Sequence, residues 1–281
     1  MLAIIGGTGL YDLQGLDLIE RVSGDTPFGT PSGDILRGRL HGQELLFLAR
    51  HGAGHRLLPH EVNYRANVFA LKRAGATQVL GFSAVGSLEL DVPPGSLAMP
   101  EQYIDWTRGA RERTFFGRGV AAHVSTARPV STRLVDAVQA AAARVGAPLH
   151  RGLTYVCVEG PRLGTQAESH LFRQMGAQLV GMTNVPEVFL AREAQLAYAT
   201  VGLVTDYDCW LDDPSQHVSA GGIFELYGKT LALGRRVLDE LLRCPLPEPE
   251  SESRQALAQA LLTPESALDE AQRGWMQVLK A

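Results

Sequence analysis

Residues 196–210 of the chain read LAYATVGLVTDYDCW, an apolar run followed directly by two carboxylates. The run over 196–204 predicts a buried strand, because continuous apolar stretches are typical of strands covered on both faces. Ligands of open α/β sheets lie beyond the carboxyl ends of the strands. Alternate residues of an extended chain point to the same side, so we expect Asp206 and Asp208 to face one ligand. Two acceptors at that edge suit adjacent N–H donors, such as the N7 and amino edge of adenine.

Strands and helices alternate along the rest of the chain, which predicts an α/β fold. The segment 101–129 carries few helix signals, and we expect a long functional or interfacial loop there. Apolar periodicity and capping residues predict helices over 61–73, 131–144, 165–175, 186–197 and 219–242, with further strands over 2–5, 43–49, 78–82, 153–158 and 178–182.

The clearest break in composition is the sequence PLPEP at residues 245–249. We therefore predict one domain over residues 1–245. Residues 246–281 are polar and rich in Ala, Leu and Gln, which predicts a helical extension. We expect this extension to pack on the domain or on a neighbouring subunit.

Bulk composition excludes several classes of protein. The 281 residues carry a formal net charge of −4, which offers no basic surface for nucleic acid. No apolar stretch reaches membrane-spanning length, and the first residues lack the basic region of a signal peptide. The three cysteines show neither metal spacing nor a disulfide framework. We expect a cytoplasmic protein with no membrane or nucleic-acid partner.

Polar side chains stand at four predicted strand ends. They are Thr8 in a glycine-rich turn, the pair Arg50 and His51, Ser83, and Thr183 just before a helix. The planar guanidinium of an arginine matches phosphate geometry, and a helix N-terminus favours anions. The glycine turn fits neither a dinucleotide fingerprint nor a P-loop. If these groups converge, they form a cage for one inorganic phosphate facing one nitrogenous base.

Several segments of the chain, in this order, carry a resemblance to a known family: GGTGL (6–10), TPFG (26–29), RHG (50–52), VNYRAN (62–67), VGSL (85–88), VEGPR (158–162), MTNVPE (182–187) and TDYDCW (205–210). On these segments the chain resembles the purine nucleoside phosphorylase family, within it the 5′-methylthioadenosine phosphorylase branch. The resemblance implies a single domain with a central mixed sheet, and phosphorolysis of 5′-methylthioadenosine to adenine and 5-methylthioribose 1-phosphate.

The same resemblance implies roles for individual residues. Met182 would lie against the ribose, Asp206 and Asp208 would hold the base, and Leu163 stands where an aromatic residue often covers the base. The residues implied to bind phosphate are Thr8, Arg50, His51, Ser83, Ala84 through its backbone, and Thr183.

The 5′ end of the substrate and the quaternary structure are also implied by resemblance. His55, Ala220 and Ile223 match the region around the 5′ substituent, and His123 matches a residue lent by a neighbouring subunit. The family implies a homotrimer with no metal and no organic cofactor, inorganic phosphate being a co-substrate. Zinc on His51 and His55 is disfavoured because the glycines between them argue against a helix.

Base choice rests on the two carboxylates. A carboxylate accepts from a 6-amino group but repels a 6-oxo group unless protonated, so the pair favours adenine. We expect Asp206 to protonate the leaving purine near N7 and Asp208 to recognise the amino group. Leu163 and residues 164–166 look more like the 6-oxopurine branch, so methylthioinosine or another 6-oxopurine nucleoside is the alternative substrate. A non-catalytic nucleoside-binding module is a third interpretation.

Overall fold

The computed structural model describes residues 1–11, 13–109, 111–211 and 220–281, with the backbone alone for 220–225. Its central element is the strand predicted from the apolar run, which spans Ala197–Asp206 and is buried along its whole length up to Asp206. Tyr198, Val201 and Leu203 of this strand are at most 1% exposed. Burial on both faces explains why the run is continuously apolar instead of alternating.

Within the described residues, nine strands form one mixed sheet in the order β2-β3-β4-β1-β5-β8-β7-β6-β9, which confirms the predicted α/β class with a central mixed sheet. An additional pairing of β5 with β9 closes the last five strands into a ring. The strands are β1 Leu2–Gly6, β2 Asp17–Val22, β3 Ile35–Leu40, β4 Gln43–Ala49, β5 Gln78–Ser87, β6 Leu97–Trp106, β7 Leu149–Val158, β8 Leu179–Gly181 and β9 Ala197–Asp206.

The directions of the strands bring together the polar residues that stand at four strand ends. Strand β1 runs parallel to β4 and β5, and β5 runs parallel to β9, so their carboxyl ends meet at one edge. Strand β8 runs antiparallel to β5, with Gly86 opposite Val180. Continued by three residues, this register places Thr183 opposite Ser83. The sheet topology therefore brings four segments that are distant in sequence close together in space.

The helices flank the sheet, and several begin at the capping residues that the sequence supplies. Ser131 caps α2, and Thr165 with Glu168 forms a capping box on α3. The helices are α1 Tyr64–Arg73, α2 Thr132–Arg144, α3 Gln166–Gln174, α4 Asn184–Glu193, α5 Ala220–Leu242, α6 Ser251–Arg254 and α7 Glu270–Lys280. Within the described residues, no helix is long and apolar enough to cross a membrane.

Two predictions of local structure are wrong. The helix expected over 186–197 ends at Glu193, because Gln195 takes a positive φ of 55° and turns the chain into β9. The loop expected over 101–129 begins instead with β6, which continues to Trp106. Pro100 interrupts the strand pattern in the sequence. In the structure, register shifts on either side of Pro100 accommodate the proline within β6.

The segment after the composition break packs on its own chain. Trp275 of α7 is 8% exposed and lies against Phe28, with ring centroids 5.6 Å apart. Phe28 also contacts Phe69 of α1 and Phe115. The division at residue 245 stays a prediction, because this shared aromatic cluster belongs to the main hydrophobic core.

Candidate active site

A cavity of about 600 Å³ opens at the edge where the strand ends meet. It is large enough for a nucleoside and a phosphate ion, since small-molecule sites range upwards from about 300 Å³. The candidate residues that line it are Thr8, Arg50, His51, His55, Ser83, Ala84, Leu163, Met182, Thr183, Asp206 and Asp208.

Three further candidates are not brought to the cavity by the described contacts. His123 is exposed, and its backbone N–H donates to Ala260 at 2.9 Å, away from the cavity lining. Ala220 and Ile223 lie at the start of α5, where the side chains are outside the described part of the chain.

The two carboxylates reach the cavity by a route other than strand alternation. Strand β9 ends at Asp206, and Asp208 lies in a turn with a positive φ of 53°. The Asp208 backbone N–H donates to Asp206 Oδ1 at 2.7 Å, and the Thr205 hydroxyl donates to Asp206 Oδ2. An Asp is among the few side chains that tolerate a left-handed backbone. The turn thus places both side chains on the cavity wall.

The protonation of Asp206 is controlled by burial. Burial raises the pKa of its carboxyl above the ordinary value, against the hydrogen bonds from Thr205 and the Asp208 N–H, which lower it. The charge of Asp208 raises it further, as a smaller contribution. A carboxyl group that holds its proton more readily is suited to act as a general acid.

Arg50 lies on the cavity wall although it is 0% exposed. Its Nε and Nη2 donate to the two carboxylate oxygens of Glu187, each at 2.7 Å, and its Nη1 donates to the Phe82 carbonyl at 2.7 Å. Burial disfavours the guanidinium, but the Glu187 carboxylate outweighs it and holds the pKa of Arg50 above the ordinary value. The cation is therefore permanent and fixed in one plane.

Hydroxyl groups face each other next to this cation. Ser83 Oγ and Thr183 Oγ1 are 3.0 Å apart, as the antiparallel register of β5 and β8 requires. The turn of Thr8 is tied to α5, because its carbonyl accepts a hydrogen bond from the Tyr227 hydroxyl. Gly9 allows this contact: its φ is 75°, and a Cβ would lie 3.1 Å from the Tyr227 ring.

His51 is neutral near pH 7. Burial, reinforced by the neighbouring Arg50 cation, lowers the pKa of His51 to about 4. Its Nδ1 lies 2.8 Å from the Leu57 carbonyl, an acceptor, so the Nδ1 carries the proton. Its Nε2 is then an acceptor, which suits the hydroxyl of a protonated phosphate.

His55 stacks on His51, with ring centroids 4.3 Å apart and planes 17° from parallel. Its Nδ1 lies 3.0 Å from the Tyr11 hydroxyl. The role of Tyr11 could not be predicted, because this contact joins residues 44 positions apart. His55 is thus held on the cavity wall by contacts with both His51 and Tyr11.

Glu159 also lines the cavity, and it lies in the motif VEGPR without having been assigned a role. Glu159 Oε2 accepts from the Arg108 backbone N–H at 2.7 Å, and its Oε1 accepts from Arg111 Nε at 2.9 Å. Arg111 also donates to the Val185 carbonyl at 2.6 Å. These bonds anchor the segment after β6 to the segment after β7. The available signal was the stretch 106–116, which contains three arginines and three aromatic residues.

Leu163 also lines the cavity, and its side chain is 63% exposed. Met182 also lines the cavity, immediately before Thr183. Among the described residues, no three His, Cys, Asp or Glu side chains form a group that could hold a metal ion.

Comparisons with known proteins identify relatives of this chain over nearly its whole length. The family model of the phosphorylase superfamily matches residues 1–267. An S-methyl-5′-thioadenosine phosphorylase of Rhodospirillum rubrum is 48% identical over 94% of this chain and 90% of its own length. A second from Geobacter sulfurreducens is 42% identical over 95% and 93%.

Solved structures give the same result. A methylthioadenosine phosphorylase from an antarctic soil metagenomic library superposes with a TM-score of 0.91 at 43% identity, covering 99% of this chain and 98% of that one. A methylthioadenosine phosphorylase from Schistosoma mansoni in complex with adenine superposes with a TM-score of 0.84 at 33% identity, covering 93% and 98%.

Proposed function

The chain belongs to the phosphorylase superfamily, and on that basis we propose that it cleaves 5′-methylthioadenosine with inorganic phosphate. The products are adenine and 5-methylthioribose 1-phosphate, which makes the protein a pentosyltransferase that feeds methionine and purine salvage. The relatives named for this activity, at 42–48% identity over nearly the whole chain, support the assignment. The observation that carries it is the placement of Asp206 and Arg50 on one cavity wall.

Phosphate is proposed to bind between the strand ends. Arg50 offers a fixed fork, Ser83 and Thr183 offer hydroxyls 3.0 Å apart, and Thr8 with the Ala84 backbone completes the cage. Charged hydrogen bonds of this kind are the strong ones in proteins. A phosphate held in such a cage is oriented toward the anomeric carbon before reaction, which removes much of the entropic barrier.

The bond changes follow from the chemistry of the substrate. The C1′–N9 bond breaks, its electron pair leaves with the purine, and positive charge develops on the ribose as in glycoside hydrolysis. The phosphate dianion stabilises that charge and then forms the new C1′–O bond. Met182 is proposed to lie against the ribose during this step.

The leaving purine needs a proton near N7. Asp206, whose pKa is raised by burial, is proposed to supply it as a general acid. Asp208 is proposed to accept from the 6-amino group. Because a carboxylate cannot pair with a 6-oxo group, the two residues together favour adenine over hypoxanthine.

A 6-oxopurine nucleoside is the second candidate substrate. Leu163, 63% exposed, covers the base less than an aromatic ring would, and this favours a looser base pocket. His55 and the start of α5, with Ala220 and Ile223, are proposed to contact the 5′ substituent. An apolar pair there suits a methylthio group better than a hydroxyl.

We further propose a homotrimer in which His123 completes the site of the neighbouring subunit. The exposed position of His123, outside its own cavity, supports that role. We propose the cytoplasm as the compartment, because the cysteines Cys157, Cys209 and Cys244 are all free. Phosphate is the proposed co-substrate, and we propose that no organic cofactor takes part.

The direct test is product analysis with and without inorganic phosphate. Incubation with 5′-methylthioadenosine should give adenine and 5-methylthioribose 1-phosphate in equal amounts, and only when phosphate is present. Adenine release without phosphate would indicate a hydrolase. Nucleoside binding without any release would indicate a non-catalytic module.

A further inference from the structure

We infer that Glu187, Tyr198 and Thr200 form a buried hydrogen-bonded chain that positions Arg50 for phosphate. Thr200 Oγ1 donates to the Tyr198 hydroxyl oxygen at 2.7 Å, and the Tyr198 hydroxyl donates to Glu187 Oε1 at 2.8 Å. Both Glu187 oxygens then accept from Arg50, each at 2.7 Å. This inference rests on the proposed function only in naming phosphate as the ligand of Arg50.

Every member of the chain is inaccessible to solvent. Arg50 and Thr200 are 0% exposed, and Glu187 and Tyr198 are 1% exposed. Buried ion pairs are costly unless their remaining atoms are hydrogen-bonded, and breaking one leaves an uncompensated charge. Here the carboxylate accepts three hydrogen bonds, so the charge is balanced and its geometry is fixed.

Gly81 in strand β5 leaves room for this hydrogen-bonded chain. A Cβ on Gly81 would lie 3.1 Å from the Tyr198 hydroxyl, 3.2 Å from Arg50 Nη2 and 3.2 Å from Glu187 Oε1. Those distances are short for a Cβ contact, so a larger residue would have to displace the three groups. Glycine in the interior of β5 is thus explained by the polar groups that it accommodates.

The geometry leaves part of the arginine for a ligand. The Glu187 carboxylate accepts hydrogen bonds from the Nε–H and from one N–H of Nη2, and the Phe82 carbonyl accepts one from an N–H of Nη1. Counted over the described residues, one N–H remains on each terminal nitrogen, and Arg50 lines the cavity. Three bonds to protein therefore hold the guanidinium plane, and two N–H donors remain for the oxygens of a phosphate.

A positioning role predicts an effect on phosphate that a purely structural role does not. Glu187→Gln keeps the size of the side chain but places an amide N–H against the Arg50 fork. Tyr198→Phe removes only the hydroxyl that holds Glu187. Because a hydrogen bond to a charged group is worth about tenfold or more, the KM for phosphate should rise at least about tenfold in E187Q. The rise in Y198F should be smaller, and the KM for nucleoside should change little in both variants.

The matched control is Glu193→Gln, on the same helix. Glu193 accepts from the Phe115 backbone N–H at 2.8 Å and from the Thr114 hydroxyl at 2.7 Å, and it does not contact Arg50. This variant makes the same carboxyl-to-amide change without touching the chain. Its KM for phosphate should stay within about twofold of the wild-type value, as expected for a site without shared partners.

The experiment measures KM for phosphate, KM for nucleoside and kcat, together with the shift of Tm on adding inorganic phosphate. A selective loss of phosphate affinity in E187Q and Y198F, absent in E193Q, supports the inference. An unchanged KM and unchanged phosphate-induced Tm shift in folded Y198F would overturn it, even if E187Q does not fold. If phosphate stabilises the wild-type protein but no base is released, only the proposed function is refuted. The phosphate-induced Tm shift would still test whether Glu187, Tyr198 and Thr200 position Arg50.

Discussion

At the scale of single residues, the proposed chemistry depends on the Asp206 carboxyl group, whose pKa is raised by burial. Asp206 is half-buried at the end of β9, and burial raises its pKa although two hydrogen bonds oppose the shift. The charge of Asp208 contributes little to that rise. Solvent exclusion at the strand end is therefore the main cause of the raised pKa, which suits Asp206 to the proposed role of general acid.

Asp206→Asn should reduce kcat/KM for 5′-methylthioadenosine by about 10²–10⁴-fold, the usual contribution of a positioned general acid. The amide keeps the shape of the side chain and can still occupy the turn, but it has no proton to give. Steady-state kinetics at saturating phosphate measure the loss. Activity within a few-fold of wild type would assign the proton to another group.

Asp208→Asn should move the preference toward 6-oxopurines. An amide can donate to the 6-oxo group, whereas the carboxylate accepts from the 6-amino group. The ratio of kcat/KM for methylthioadenosine over methylthioinosine should fall by at least about tenfold, the effect of one mispaired buried polar group. An unchanged ratio would mean that Asp208 does not read the base.

The residues of the cavity could be predicted from the sequence better than their geometry. Strand-end positions and residue types were enough to bring Thr8, Arg50, Ser83 and Thr183 to one wall. The turn at Asp208 and the contacts of Glu187 could not be predicted, because they depend on a local left-handed backbone and on a partner 137 residues away. Single-sequence patterns carry no information about such long-range pairing.

At the scale of elements, helix α4 connects the proposed phosphate site to the segment that follows β6. Its first turn carries Glu187, and its last residue, Glu193, accepts from Thr114 and from the Phe115 N–H. Burial raises the pKa of Glu193 to about 7, although these hydrogen bonds and Arg65 lower it. The helix therefore ends in a carboxyl group that titrates near neutral pH.

The free energy of unfolding should fall as the pH rises between about 4.5 and 7, owing to Glu193. The folded state binds the proton more tightly than the unfolded state, so the stabilisation is complete below the unfolded pKa and is lost through the folded pKa. Glu193→Gln, which resembles the protonated form, should flatten this part of the profile. Urea unfolding of both proteins at several pH values measures it, and identical slopes would contradict the assignment.

The boundaries of the elements show where the sequence patterns failed. Strand β6 was predicted as loop because Pro100 interrupts its apolar run, and only the bulges in its pairing with β7 reveal how the proline fits. The apolar run of β9, by contrast, has no such interruption and was predicted to within two residues. Continuous burial leaves a clear pattern, and local irregularity removes it.

At the scale of the whole molecule, the single chain leaves its cavity open to one side. Leu163 at the cavity mouth, together with Leu90 and Leu262 elsewhere on the surface, is more than 60% exposed. His123 also stands outside its own cavity. Exposed apolar side chains and a candidate residue without a site are both expected when a neighbouring subunit completes the protein.

Light scattering should therefore give three times the chain mass of 30.3 kDa. His123→Ala should keep this mass and lower activity, because the residue is proposed to act in the partner's site. Mixing H123A with D206N chains, under conditions that exchange subunits, should restore part of the activity in trans. A monomer with full activity would contradict the quaternary proposal and leave the catalytic one intact.

The most direct test of the account compares four nucleosides side by side: 5′-methylthioadenosine, methylthioinosine, adenosine and inosine. Phosphate-dependent release of free base is measured for each under identical conditions. The account predicts that adenine is released and that 5′-methylthioadenosine is clearly preferred, because Asp206 and Asp208 select the 6-aminopurine. A preference for methylthioinosine would contradict that central claim and would mean that the open pocket at Leu163 determines the base.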